Sequence, residues 1–483
     1  MYDLALIPLL KATWETIYMV FIASFVSIFF GLLLGICLFT TRKHQALENK
    51  MMNQVLGFVV NIVRSIPFII LMISILPLTR LLVGTTIGTN AAIVPLTIAA
   101  IPFFARICEN ALNEVPEGLI EAVTAMGATT SQIISKVLLP ESLPALIRGG
   151  TLTIIALTGY SAMAGVVGGG GLGQLAIDYG YQRFDAMVML ETVIVLVVLV
   201  QAIQVFGDYL ARHRNVKIAM VISVLMWIAC IAFQAWPSTV QEGNVLRVGV
   251  MTGWPEQVMQ AAKSVAKEKY GLDIEVITFN DYVQPNTALN NGSIDANIFQ
   301  HVPYLEGQIK ARHYQLVVIG KTFVYPMAFY SIKIQDISQL KDKAIVAIPN
   351  DPSNEGRALL ILQKSHLIEL KPGVGIVATV HDITANPHHL QFKRLDAAQL
   401  PRVLKDADLV ALTNDFVGPA GLSIKQALLK EGADSPYANI IVVRTQDKDK
   451  PLLQQLVNVM HSPEVIDATN KIFPNGAAIP AWK

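Results

Sequence analysis

The distribution of apolar residues constrains this chain more than any other feature. Up to about Trp236 they form runs long enough to cross a bilayer with few charges between them, whereas residues 243–483 have the mixed polarity of a water-soluble protein. Two solvents are therefore implied, lipid for the first half and water for the second. The overall hydrophobic fraction of 53% with 15% charged residues averages these unlike parts, and 483 residues leave room for several domains. A net charge of +1 with no basic stripe or arginine-rich arm gives no reason to expect a nucleic-acid partner. Cys37, Cys108 and Cys230 all lie in or beside apolar runs, so no disulfide framework is expected and all three read as small hydrophobes.

A hydrocarbon core of about 30 Å takes about 20 apolar helical residues to cross, because backbone groups cannot stay unpaired in lipid. Six segments meet that length: 13–40, 55–78, 87–105, 149–167, 186–207 and 216–236. The first opens with Glu15 and the second contains Arg64, Pro67 and Pro77, interruptions that suit a transporter better than an inert anchor. Lysine and arginine are retained on the cytoplasmic side. Arg42, Lys43 and Lys50 follow the first span and Arg212, Arg214 and Lys217 separate the fifth from the sixth, while 168–185 carries Arg183 alone. The amino terminus is thus expected outside, and a sixth span returns the polar half to the outside.

Between the third and fourth spans, residues 109–141 are too charged for lipid and are expected to form a cytoplasmic excursion of two short helices breaking at Gly127. The order Glu121-Ala122-Val123, then Gly127, then Val137-Leu138-Leu139-Pro140 resembles the EAA signature of ABC importer permeases, with Val123 where a second alanine is usual. The plainer alternative is an amphipathic connector. The resemblance implies that segment 121–140 docks in a groove of a separate ATPase subunit, with Glu121, Ala122, Gly127, Leu139 and Pro140 as its coupling residues. Phrases such as 61–68 (NIVRSIPF), 92–97 (AIVPLT) and 159–163 (GYSAM) resemble the methionine-type permease across residues 1–212. That family has five spans and works as a homodimer, which makes the sixth span an addition. Gly168 to Gly173 satisfies G-x-G-x-x-G, but no strand precedes it, so a turn for close packing is the better reading than a dinucleotide site. The chain has no P-loop motif, so no nucleotide cofactor is expected and the ATP chemistry falls to a partner.

Residues 213–244 read as the extra membrane helix and a linker. A basic start, an apolar run and Trp227-Ile228-Ala229-Cys230 are laid out like a bacterial secretory signal and resemble a lipobox, with Trp227 where leucine is usual. The segment reads as a former lipoprotein signal retained as an anchor, with lipidation at Cys230 possible as the alternative and one more apolar helix residue as the plainest reading. A linker over 237–244 spans about 30 Å at most.

From 245 to 483 strands and helices alternate, as in two α/β lobes closing on a ligand. The segment resembles NlpA-type methionine-binding lipoproteins, in 278–282 (TFNDY), 295–301 (DANIFQH), 322–326 (TFVYP) and 349–357 (PNDPSNEGR). The resemblance implies that Arg357 forks onto an amino-acid carboxylate, as lysine cannot. Asn354 and Asn414 would orient the zwitterion, although Asp415 fits the register equally. Tyr282, Phe299 and Tyr304 would face a thioether, and His301 would line the pocket. Taken singly, each has an ordinary reading as a core or surface residue. His381, His388 and His389 flank Pro387 in a loop with no regular ligand geometry, so no metal site is expected.

The expected whole is multi-domain, an all-α polytopic membrane domain of the ABC importer permease type plus an α/β bilobed periplasmic-binding-protein domain. It would sit in a bacterial inner (cytoplasmic) membrane with the C-terminal domain outside, in contact with membrane lipid. Its function would be capture and translocation of methionine, driven by a partner ATPase and carried out as a homodimer. The alternatives are an amino-acid-gated channel, which has no use for a coupling segment, or an importer for another small amino acid. No catalytic constellation supports an enzyme.

Overall fold

The computed structural model describes residues 3–235 and 245–482, apart from 44, 46, 167, 183, 184, 214, 215, 419, 433–436 and 474–477. The linker 237–244, and Arg183 and Arg214 of the orientation argument, lie outside the described residues. The chain forms two compact units, 1–177 with 186–238 and 178–185 with 239–483.

The first unit is helical: α1 (Asp3–Thr40), α2 (Lys50–Ser65), α3 (Phe68–Ser74), α4 (Leu76–Val83), α5 (Thr89–Asn113), α6 (Glu117–Ala125), α7 (Thr130–Ile133), α8 (Leu139–Val166), α9 (Gly171–Leu175), α10 (Ala186–His213) and α11 (Val216–Ala235). Helices α1 and α5 approach closely because small residues line their seam. A Cβ on Gly35 would lie 2.5 Å from that of Cys108 and 2.7 Å from the Ala105 carbonyl oxygen.

Among the described residues four helices are long and apolar enough to cross a membrane, Pro8–Thr40, Thr89–Asn113, Thr130–Gly165 and Ala186–His213. The expected second span is not one helix. Pro67 lacks an amide hydrogen and pushes Ile66 out of the helical region, to φ −81° and ψ 123°. Lys50–Ser65 and Phe68–Ser74 therefore meet at 103°, and they make a fifth span only if the bent pair is counted as one. The expected sixth is the helix α11, whose apolar stretch among the described residues is Val221–Cys230, shorter than a span. Counted this way among the described residues there are four or five, while α11 itself is 20 residues long, from Val216 to Ala235, over the segment expected as the sixth.

Gly168 and Gly170 both adopt φ +78°, which only glycine accepts readily, in the turn that leads into α9. Two side chains of α1 satisfy the first amides of α9: Gly171 donates to the Glu15 carboxylate at 2.8 Å and Leu172 to the Thr16 hydroxyl at 2.8 Å. The glycine-rich stretch is therefore a packing turn.

The second unit has two lobes. The first lobe holds β1 (Val245–Met251), α12 (Trp254–Tyr270), β2 (Asp273–Phe279), α13 (Gln284–Asn290), β3 (Ala296–His301), α14 (Val302–Arg312) and β4 (Leu316–Val324). The second holds β5 (Ala328–Tyr330), β6 (Ile345–Pro349), α15 (Pro352–Lys364), a ribbon of β7 (Glu369–Leu370) with β8 (Ile383–Ala385), β9 (Gln391–Leu395), β10 (Leu409–Leu412) and β11 (Leu429–Lys430). The chain then returns to the first lobe with β12 (Ala438–Arg444), α16 (Pro451–Met460), α17 (Pro463–Ile472) and β13 (Ile479–Pro480). The sheets run β13-β4-β12-β3-β1-β2 and β11-β5-β10-β6-β9. β12 lies antiparallel between β3 and β4. The two lobes are thus joined between β4 and β5 and again between β11 and β12, the arrangement of a hinge. Each sheet has its own core, one around Val248, Phe323 and Leu456 and the other around Phe329, Val346 and Leu359. Strands such as β6, covered on both faces, are apolar almost throughout.

Candidate functional site

Between the two lobes lies a narrow cavity of about 30 Å³. All seven residues singled out for the pocket line it: Tyr282, Phe299, His301, Tyr304, Asn354, Arg357 and Asn414. They come together because strand and helix ends face the cleft. Phe299 and His301 end β3, Tyr304 opens α14, Asn354 and Arg357 occupy the first turns of α15, and Asn414 follows β10.

The aromatic wall is self-supporting. Tyr282 stacks on Phe299 with centroids 5.9 Å apart, and Tyr304 sets its edge to Phe299 at 6.0 Å. Tyr304 donates its hydroxyl to the Tyr282 carbonyl at 2.7 Å. Tyr282 in turn donates to Asp415 at 2.8 Å and so bridges the lobes. Burial, with the negative Asp415 beside it, pushes the Tyr282 hydroxyl well above its usual range, so it stays a donor.

His301 caps α14, its Nδ1 accepting from the Tyr304 amide at 3.3 Å, so its proton belongs on Nε2, which faces the Asn354 oxygen at 3.4 Å. Burial, helped by the Arg357 charge, lowers its pKa to about 3 and leaves the ring neutral near pH 7. Asn354 is held from below by Asp351, the cap of α15, at 3.0 and 3.1 Å. Its amide hydrogens are thus engaged inside the protein, and it orients His301 and the helix start.

Arg357 departs from expectation. The fork anticipated for a ligand carboxylate is occupied by Glu431, with Nε to Oε1 at 2.5 Å and Nη2 to Oε2 at 2.5 Å. Nη2 also donates to the Tyr325 carbonyl at 2.9 Å, and the guanidinium lies 4.5 Å from the Tyr437 ring centre. Among the described residues Nη1 has no hydrogen-bond partner, and it is the nitrogen left for a ligand oxygen.

Motif reading passed over five other lining residues, Gln300, Tyr325, Thr413, Asp415 and Asn439, of which it weighed only Asp415. Gln300 donates to Asn286 and Asn297 in a buried amide network beneath the cavity. Asp415 is 7% exposed, and burial raises its carboxyl to about 6 against the pull of the Tyr282 hydroxyl and the Arg357 charge. Asn439 starts β12, far along the chain from every motif. Gln300 and Tyr325 lie inside the motifs 295–301 and 322–326, and Thr413 and Asp415 flank Asn414, whereas nothing local marks Asn439 or Glu431.

The coupling segment is a second candidate site, in the first unit. Helix α6 stops at Met126, and Gly127 turns the chain at φ +82°. Thr129 then opens α7 with a capping box closed by Gln132. The second helix is not short as expected. It passes through a π turn at Ile134–Leu138 into α8, because Pro140, having no amide hydrogen, is accommodated by the wider turn ahead of it. Glu121, Ala122, Gly127 and Pro140 are exposed and Leu139 is half-buried. Met126 is 86% exposed at the tip. Val123, the departure from the EAA pattern, packs with Ile120 and Leu139 against the cluster of Phe39, Leu112 and Leu138. A larger apolar side chain there anchors the segment from behind. Cys230 is buried within α11.

Comparison with known proteins divides between residues 218 and 246. Residues 246–482 match the family model described as NlpA lipoprotein, and residues 27–218 match the one described as binding-protein-dependent transport system inner membrane component. The chain is 51% identical over 245 residues to the D-methionine-binding lipoprotein MetQ of Salmonella typhimurium, covering 50% of this chain and 90% of that protein. It is 59% identical over 205 residues to the probable D-methionine transport system permease protein MetI of Vibrio cholerae, covering 42% of this chain and 91% of that protein. Among solved structures it is similar to a nutrient binding protein from Burkholderia cenocepacia bound to methionine, at 46% identity and a TM-score of 0.48, covering 49% of this chain and all of that one.

Proposed function

The chain belongs to two families at once, the NlpA lipoproteins and the binding-protein-dependent transport system inner membrane components, and from that premise we propose that it captures methionine and passes it through its own membrane domain. It is a transporter component and not an enzyme. The observation that carries the substrate is the composition of the cavity wall, where three aromatic rings stand beside Arg357 and Asp415. Aromatic faces and edges suit a thioether at about 0.3 to 1.5 kcal/mol per contact. Arg357 Nη1 receives the carboxylate, and Asp415 receives the ammonium. Asn414 and Asn439 hold the zwitterion between them.

The membrane domain supplies the path, and the exposed turn around Gly127 docks in the groove of a separate ATPase on the cytoplasmic side. Two chains pair through their membrane domains, so that two binding units serve one path and deliver in turn. The first helix starts outside, and the binding unit lies on the extracytoplasmic face of the bacterial inner membrane. Domain limits are 1–212 for the permease, 213–244 for the extra helix and linker, and 245–483 for the binding unit. Cys230, buried in α11, is retained unprocessed as part of the anchor.

Calorimetric titration of the purified full chain in lipid nanodiscs with an amino-acid panel, including both enantiomers of methionine, tests the substrate. Saturable methionine binding that disappears in Arg357→Ala is the expected result. Preference for an acidic or a basic amino acid would overturn the assignment.

A further inference from the structure

Glu431, which like Asn439 no motif announces, stands behind Arg357. The two side chains are 5% and 8% exposed and meet through two parallel contacts at 2.5 Å. Both touch the segments that join the lobes. Glu431 Oε2 accepts from the Met327 amide at 2.9 Å in the first crossing segment, and Arg357 donates to the Tyr325 carbonyl of that segment while lying over Tyr437 of the second.

A buried guanidinium is held by whatever carboxylate fits its fork. If the ligand were the only anion available, the empty site would contain a lone buried cation and would attract any small carboxylate. With Glu431 in place the cation is matched before a ligand arrives. A ligand approaching Nη1 meets an arginine already neutralised by Glu431, in a cavity that Asp415 also lines. A carboxylate alone then adds an uncompensated negative charge to a site of low polarisability, whereas a carboxylate with a neighbouring ammonium adds none.

We propose that Glu431 is a specificity-determining residue: by cancelling the charge of Arg357 it confines the cavity to amino acids and rejects the corresponding acids that lack an ammonium. This inference rests on the methionine reading of the same site. The test uses the full chain in nanodiscs and three probes, methionine, its deaminated analogue 4-(methylsulfanyl)butanoate and the cationic methionine methyl ester. Failure of the unaltered protein to bind methionine would sink the substrate reading itself, independently of Glu431. Given that binding, Glu431→Gln is expected to shrink the preference for methionine over the deaminated acid at least tenfold, by leaving Arg357 unmatched. An unchanged preference in a folded Glu431→Gln protein overturns the proposal.

A second comparison stands whether or not that variant folds. Arg357→Gln uncovers the Glu431 carboxylate, so this protein should favour the methyl ester over methionine. Adding Glu431→Gln should reduce that ester preference at least tenfold. If the double variant keeps it, Glu431 does not set the charge of the site.

Discussion

Gly356 sits between Glu355 and Arg357 on the first turns of α15, and replacing it by alanine tests how rigidly Arg357 is held. A Cβ there would lie 2.3 Å from the Ile376 carbonyl oxygen, 2.9 Å from its carbon and 3.2 Å from the Ala378 nitrogen. An ordinary contact between carbon and oxygen is about 3.3 Å or more, so the overlap is about 1 Å. Neither side can withdraw easily, since the obstructing atoms are backbone and the helix is tied to them by the Val380 amide donating to Glu355 at 3.0 Å. On the far side the ion pair with Glu431 fixes Arg357. Alanine gains about 1 kcal/mol over glycine from helix propensity. Overpacking costs about 1–3 kcal/mol, and the upper half applies where backbone must move. A net loss of about 1–2 kcal/mol is expected, equivalent to a methionine Kd about 5 to 30 times weaker if it falls on the bound geometry. Calorimetry and thermal melting of the full chain read both effects. Gly307 of α14 is the control, because a Cβ there meets nothing within 4 Å, and Gly307→Ala should be neutral or slightly stabilising. Should Gly356→Ala behave like Gly307→Ala in both assays, the reasoning about the tight crossing is refuted.

Three further outcomes are expected. The folded-state pKa of Asp415, about 6, lies above its ordinary 3.8, so its ionised form destabilises the empty binding unit above pH 6, and that penalty of about 2–3 kcal/mol at most fades as pH falls from about 6 to about 4. A ligand ammonium favours the ionised carboxylate, so methionine affinity should rise with pH through 6 and level off, and Asp415→Asn titrated at pH 5 and 7.5 should lose that dependence. Gly127→Ala places a side chain at φ +82° in open space, costing about 1–2 kcal/mol at the coupling turn; methionine binding should be unchanged while methionine-stimulated ATP hydrolysis by the copurified ATPase falls. Gly207→Ala puts a Cβ 2.1 Å from the Thr151 hydroxyl where α10 crosses α8, and the lower melting temperature of the membrane unit should recover when Thr151→Gly is added.

Much of the binding site was legible because its residues are clustered in short motifs at the ends of strands and helices, and alternation of strand and helix brings such ends to one cleft. Phe299, His301 and Tyr304 lie within six positions of one another, and Asn354 and Arg357 are one turn apart. Glu431 is 74 residues beyond Arg357. The fork of Arg357 was therefore assigned to the ligand when an internal carboxylate already filled it. The membrane half shows the same division. The EAA spacing located the turn at Gly127, but the continuation of the second helix through a π turn depends on how Pro140 is accommodated by the turn before it.

What the sequence determined by itself was the choice of solvent for each half, the place of the turns and the chemical character of the pocket, because hydropathy, glycine and proline act over a few residues. The tertiary structure alone decided the amide cap that α1 provides to α9 and the ion pair between Arg357 and Glu431 beside the hinge. Those outcomes depend on which distant backbone or side chain arrives within hydrogen-bond reach, and the packing of lobes and helices sets that, with no trace in local composition.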